Sequence, residues 1–149
     1  MSDSNRKLIE ENLADLHRLA RKKQQPNRFH ARELLTALGE LILAEGEGLP
    51  EVELVRAAVT PFEHWEKAVA EELSLACTEH IQGVDPRYLD LPNYDFEYLV
   101  AARERLEARL TAVDALGLEV SEDLLNRVAE ADRVVEPYLR EQRGELGAN

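Results

Sequence analysis

The chain has 149 residues, of which 44% are hydrophobic and 32% charged, and its formal net charge at pH 7 is −12. This apolar content excludes an intrinsically disordered chain, and the length allows one helical domain, residues 1–149, to bury a core without disulfides or metal ions. The acidic balance disfavours binding to nucleic acid and to anionic membranes.

In the first part of the chain, apolar residues recur at spacings of three and four, the period of an amphipathic helix. We predict helices at about residues 4–23 and 28–45, separated by QQPN, and a short helix at residues 51–59 after GEGLP. Phe29 is expected to face inward with the leucines that follow it. Gly39, inside the second helix, is less favourable than alanine by up to about 1 kcal/mol and would allow a close helix crossing.

The stretch TPFE predicts the start of the next long helix. Thr60 is suited to cap this helix, Pro61 to occupy its first position, and Glu63 to bond back to the cap amide, which together form a capping box. We expect the helix to continue through residue 82. It should end at Gly83, because glycine is favoured just past a helix C-terminus.

The helical pattern breaks at residues 84–93, where Asp85-Pro86 is expected to begin a single helical turn. The next predicted helix covers residues 94–116. Residues 85–98, the aromatic segment, mix aromatic and acidic side chains and would either plug the end of a bundle or contact a partner. The apolar anchors that we single out there are Tyr88, Tyr94 and Phe96.

A last helix is predicted from a Ser121 cap, with Pro137 kinking or restarting it. It should form an antiparallel hairpin with the helix before it. The expected fold class is therefore all-α, a helical bundle of about four long helices plus one or two short helices. Residues 1–3 and 144–149 are expected to fray.

The usual patterns of catalytic and metal sites are missing from this sequence. No histidine is preceded by glutamate at the third position, as a ferritin-like di-metal site requires, and no phosphate loop or nucleophile motif occurs. We therefore assign no catalytic residue, no metal and no cofactor. The weak candidates for a metal or pocket site are His64, Glu71, Cys77 and His80; we interpret Cys77 as a core residue and the two histidines as surface residues.

One stretch is strongly basic: residues 17–32 carry six Lys or Arg and no Asp or Glu. Cations at the end of a helix complement its dipole, but cations in a first helical turn do not. The connection between the first two helices should bring both sets together. We define the basic corner as the five residues predicted to bind an anionic partner, namely Arg21, Lys22, Lys23, Arg28 and Arg32.

These features favour a non-enzymatic protein–protein interaction module. Its expected partner is a protein with an acidic surface or a second copy of the chain, as in a homodimer, bound through the basic corner and the aromatic segment. The alternatives are a ligand-binding, metal-binding or catalytic bundle, and nucleic-acid binding through residues 17–32. No membrane association is expected, and the single cysteine predicts a cytoplasmic location.

Overall fold

The computed structural model describes residues 2–144, and within them it contains seven helices and no strand. The all-α fold class is confirmed, with five helices of at least 18 residues rather than about four. No helix among these residues combines the length and apolar character needed to cross a lipid bilayer. The helices are α1 Ser2–Arg21, α2 Arg28–Glu45, α3 Pro50–Val59, α4 Trp65–Gly83, α5 Pro86–Leu89, α6 Phe96–Ala115 and α7 Glu122–Gln142.

The N-termini of α2 and α7 are fixed by side-chain caps. The side chain of Asn27 accepts hydrogen bonds from the backbone N–H groups of Phe29 and His30, at 2.9 and 3.3 Å. Nδ1 of His30 accepts a bond from the Asn27 backbone N–H at 3.0 Å, which completes a capping box. The predicted Ser121 cap is confirmed, because its hydroxyl accepts from the Leu124 N–H at 3.3 Å.

The capping box predicted at TPFE is wrong. Thr60 has helical backbone angles and ends α3, and its hydroxyl donates to the Arg56 carbonyl at 2.7 Å instead of capping the next helix. Residues 60–64 form turns, and α4 begins at Trp65. Phe62 and Trp65 are both buried, so burial of two large rings favours this turn over an earlier helix start.

The chain divides into two compact units, and the first comprises residues 2–73 and 105–119. Its core is built by α2, since most side chains from Ala31 to Ile42 are buried there. Helix α1 contributes Ile9, and Trp65 is buried at the start of α4. Gly39 is buried against Ala108, so the predicted close crossing of α2 with another helix is confirmed.

The second unit comprises residues 74–104 and 120–144. Its apolar cluster joins Leu99 of α6 to Ala131 and Val135 of α7. These contacts agree with the predicted antiparallel hairpin, because Leu99 precedes the loop between α6 and α7 by a number of residues similar to that by which Ala131 and Val135 follow it. Helix α7 continues through Pro137 without a restart. All four tyrosines of the chain, Tyr88, Tyr94, Tyr98 and Tyr138, belong to this unit.

Two further predictions need adjustment, the orientation of Phe29 and the frayed ends of the chain. The inward orientation predicted for Phe29 is wrong, because this ring is 46% exposed and lies beneath the guanidinium groups of its neighbours. Ser2 and Asp3, expected to fray, are helical in α1, and Gly144 forms a turn after α7. The remaining residues of the predicted frayed ends, 1 and 145–149, lie outside the described residues.

Candidate functional site

The turn after α1 presents three consecutive cations to solvent. Arg21 ends the helix, and Lys23 adopts a left-handed conformation with φ 56°. This conformation lets the Gln24 N–H donate to the Leu19 carbonyl at 2.9 Å, which closes the helix end. Arg21, Lys22 and Lys23 are exposed, and their side chains form no ion pair or hydrogen bond with any residue from 2 to 144.

The two arginines of the basic corner that lie in α2 have partners within the chain. Nη1 of Arg28 lies 3.3 Å from a carboxylate oxygen of Glu72. The guanidinium carbons of Arg28 and Arg32 lie 4.1 and 5.0 Å from the centre of the Phe29 ring, within the range of cation–π attraction. The basic corner therefore consists of three unpaired cations and two that cover an aromatic ring.

One buried carboxylate in the first unit lies between two arginines, and we call these three residues the Glu72 cluster. The side chain of Glu72 is 3% exposed; one of its oxygens accepts from Arg28 at 3.3 Å, and the other lies 3.6 Å from Nη1 of Arg109. Nε of Arg109 also donates to the Thr36 hydroxyl at 2.8 Å. These contacts connect α2, α4 and α6. The sequence does contain a signal for this cluster, because Glu72 continues the apolar stripe of Trp65, Ala68 and Val69 at helical spacing.

A second polar cluster lies in the second unit. Nε2 of His80 lies 2.7 Å from Oδ1 of Asp132, and Arg103 donates to both oxygens of that carboxylate at 3.0 to 3.2 Å. Burial raises the pKa of Asp132, but the bonds from Arg103 and His80 outweigh it and hold the pKa below its usual range. The surface position expected for His80 is wrong, since its side chain is 5% exposed and its Nδ1 is buried with no partner in residues 2–144.

Cys77 lies one helical turn before His80 and is fully buried, as predicted for a core residue. Burial raises the pKa of its thiol, and the nearby charge of Arg103 only partly opposes this effect. A nucleophilic cysteine requires the opposite, a lowered pKa and access to substrate. Cys77 is therefore a packed core residue, and the ion pair of this region joins Arg103 to Asp132.

The four weak candidates for a metal or pocket site do not form one cluster. His64 and Glu71 are exposed in the first unit, whereas Cys77 and His80 are buried in the second. Over residues 2–144, no group of three or more His, Cys, Asp or Glu side chains is arranged to hold a metal ion.

The aromatic segment separates into inner and outer side chains. The Tyr94 hydroxyl donates to the Gly83 carbonyl at 2.9 Å, and its ring meets that of Phe96 edge-on at 4.9 Å. Phe96 also stacks on Tyr138, so both predicted anchors pack within the second unit. Tyr88, the third, is exposed.

The charges around Glu72 and around Asp132 are thus paired within the protein. The charges of Arg21, Lys22 and Lys23, on the turn after α1, are exposed to solvent and form no ion pair with residues 2–144. This difference makes the basic corner the candidate functional site. Comparison of the chain with protein-family models, with curated proteins and with solved structures finds no significant match.

Proposed function

We propose that the protein is a cytoplasmic, non-enzymatic interaction module that binds an acidic protein surface through its basic corner. The observation that carries this proposal is that Arg21, Lys22 and Lys23 are exposed and form no ion pair with residues 2–144, although the chain has 30 acidic and 18 basic side chains. Several cations pair with carboxylates, as Arg6, Arg28 and Arg103 do. Other exposed cations, such as Lys7 in α1 and Lys67 in α4, belong to separate helices. The corner differs because its three unpaired cations are consecutive, in a stretch from residue 17 to 32 that has no Asp or Glu.

The corner also supplies more than charge. Phe29 is partly exposed, and the planar groups of Arg28 and Arg32 lie over it. Arginine and aromatic side chains are enriched in protein interfaces, where they combine apolar area with directed hydrogen bonds. At physiological salt the screening length is about 8 Å, so the corner acts at short range even though the whole molecule is acidic.

An acidic polypeptide suits this corner better than nucleic acid does. A protein that binds DNA normally has a basic face and a domain that is positive overall. Here the net charge is −12, and only residues 17–32 carry a cationic excess of this size. The bulk of the molecule would repel a long polyanion, whereas a small acidic patch meets the corner alone.

The test is a titration with two fluorescent probes of equal charge, an acidic peptide and a short DNA duplex. The variant Arg21→Glu/Lys22→Glu/Lys23→Glu should lose peptide binding. A control variant, Lys7→Glu/Lys67→Glu/Arg105→Glu, reverses three other exposed cations of the first unit and should retain most of it. An equal loss of peptide binding in the two variants would mean that only the net charge of the protein matters, and it would refute the assignment of the binding site to the basic corner. Tighter binding of DNA, lost in the first variant alone, would replace this proposal with nucleic-acid binding.

A further inference from the structure

The aromatic segment keeps three large apolar side chains at its surface. Tyr88 is 50% exposed, Leu91 is 53% exposed and Tyr98 is 67% exposed. Their backbone positions are fixed, because the Leu91 N–H donates to the Tyr88 carbonyl at 3.0 Å and the Tyr98 N–H donates to the Asp95 side chain at 2.9 Å. Exposed tyrosines on an ordered backbone are typical of protein interfaces, since they contribute much area for little loss of entropy.

The same segment is acidic. Its one cation, Arg87, is held by Asp85 at 2.7 Å, which also lowers the pKa of that carboxyl. Asp90, Asp95 and Glu97 are exposed and have no cationic partner among the described residues. Asp90 accepts from the Tyr138 hydroxyl, and Asp95 caps the first turn of α6. The aromatic segment therefore combines exposed tyrosines with exposed carboxylates that have no cationic partner in residues 2–144.

We propose that the acidic partner is a second copy of this chain, and that the basic corner of one copy binds the aromatic segment of the other. This inference rests on the proposed function and names its partner. The charges are complementary: Arg21, Lys22 and Lys23 are open on one surface, and three carboxylates are open on the other. Arginine stacks well on tyrosine, so the exposed rings add contact area to the charge pairing.

Each copy carries both surfaces. Two copies related by a two-fold axis would form the contact twice, in a closed dimer. Copies related in any other way would form it once between each pair of neighbours, in an open assembly. In either case the contact depends on exposed charges. Each copy has a net charge of −12, so the contact needs enough salt to screen the repulsion between the two molecules, as physiological salt does with a screening length of about 8 Å. It should weaken as salt rises above that range, and charge changes should alter the association rate as well as the affinity.

The test uses two charge-reversed variants of the full chain. The corner variant is Arg21→Glu/Lys22→Glu/Lys23→Glu, and the segment variant is Asp95→Asn/Glu97→Arg, in which asparagine retains the helix cap. Self-association is measured by sedimentation at physiological salt, with circular dichroism as the check on folding. We expect each variant alone to associate about tenfold or more weakly than the unmodified chain. Mixed together, they should associate again, because the unmodified corner of the segment variant then meets the unmodified segment of the corner variant.

Three results would overturn the inference: an unmodified chain that stays monomeric at physiological salt, two folded variants that do not associate when mixed, or variants that each associate alone as well as the unmodified chain. None of these results affects the proposed function, which is judged by the acidic peptide. If the peptide binds the segment variant and not the corner variant while the chain is monomeric, the corner binds a different protein. If the chain associates and both variants associate equally well, self-association uses another surface and the inference is wrong.

Discussion

A methyl group in place of the hydrogen of Gly39 would lie 1.7 Å from the carbonyl oxygen of Ala108. The obstacle is backbone of α6, so it cannot rotate away as a flexible side chain could. The two helices approach this closely only because residue 39 has no side chain. Gly39 and Ala108 thus fix the crossing that forms the core of the first unit.

Gly39→Ala should therefore destabilise the protein by about 3 kcal/mol or more, because the helices must separate. This loss exceeds the gain of up to about 1 kcal/mol that alanine brings to a helix interior. Urea unfolding followed by circular dichroism measures it. Gly83→Ala is the matched control, since no atom lies within 4 Å of the added methyl there. A Gly39→Ala protein as stable as this control would contradict the close crossing.

Glu72→Gln should lower the free energy of unfolding by about 2 kcal/mol, because it removes the charge of a buried carboxylate that faces Arg28 and Arg109. Glu71→Gln changes the adjacent but exposed residue in the same way and should alter stability by no more than about 0.5 kcal/mol. Denaturant unfolding of the two variants makes the comparison. Similar values for both would show that the Glu72 cluster does not stabilise the first unit.

Acid should weaken the second unit through Asp132, whose pKa lies below its usual range in the folded protein. A carboxyl of this kind stabilises the fold above its unfolded pKa, near 3.9, and loses that contribution as the pH falls further, to the folded pKa. The expected window is therefore below about pH 4. Stability measured from pH 5 downward should fall less steeply in Asp132→Asn than in the unmodified chain.

Asp114→Asn serves as the control for that series, because it removes one exposed negative charge that has no cationic partner in residues 2–144. The dependence of its stability on pH gives the general effect of removing one negative charge. The Asp132 interpretation requires a clearly larger change of slope in Asp132→Asn than in this control.

Cys77 should be inert in the folded protein. It is fully buried, and burial raises the pKa of its thiol, so little thiolate forms and reagents cannot reach it. A chromogenic disulfide reagent should label it on the order of 100-fold more slowly than an exposed thiol, and at full rate in urea. Ser74→Cys combined with Cys77→Ala supplies the exposed thiol on the same helix. Rapid labelling of native Cys77 would reopen the catalytic alternative.

Helical periodicity was enough to predict most of the fold. The predicted bounds of α2 match the observed Arg28–Glu45, and the single turn at Pro86–Leu89 was expected from Asp85-Pro86. The start of α4 was not predictable from TPFE, because a local capping signal competed with burial of Phe62 and Trp65, which depends on the tertiary fold.

The polar interior was the harder part to predict. His80 was assigned to the surface because titratable side chains are mostly exposed, and Glu72 was not singled out at all. The partners that make their burial possible, Asp132 and Arg109, are distant in sequence. The basic corner was visible as a run of cations. Only the structure divides it into three open charges and two arginines that cover Phe29. Of the predicted anchors, Tyr94 and Phe96 pack inward, and Tyr88 faces solvent.

The aromatic side chains provide a separate optical probe for each unit. Trp65, the single tryptophan, is buried in the first unit, while all four tyrosines lie in the second. Tryptophan emission therefore reports packing around α4 in the first unit, and tyrosine absorbance reports packing in the second, without any added label. A chain that behaves as the single domain expected from its length should lose both signals at the same denaturant concentration.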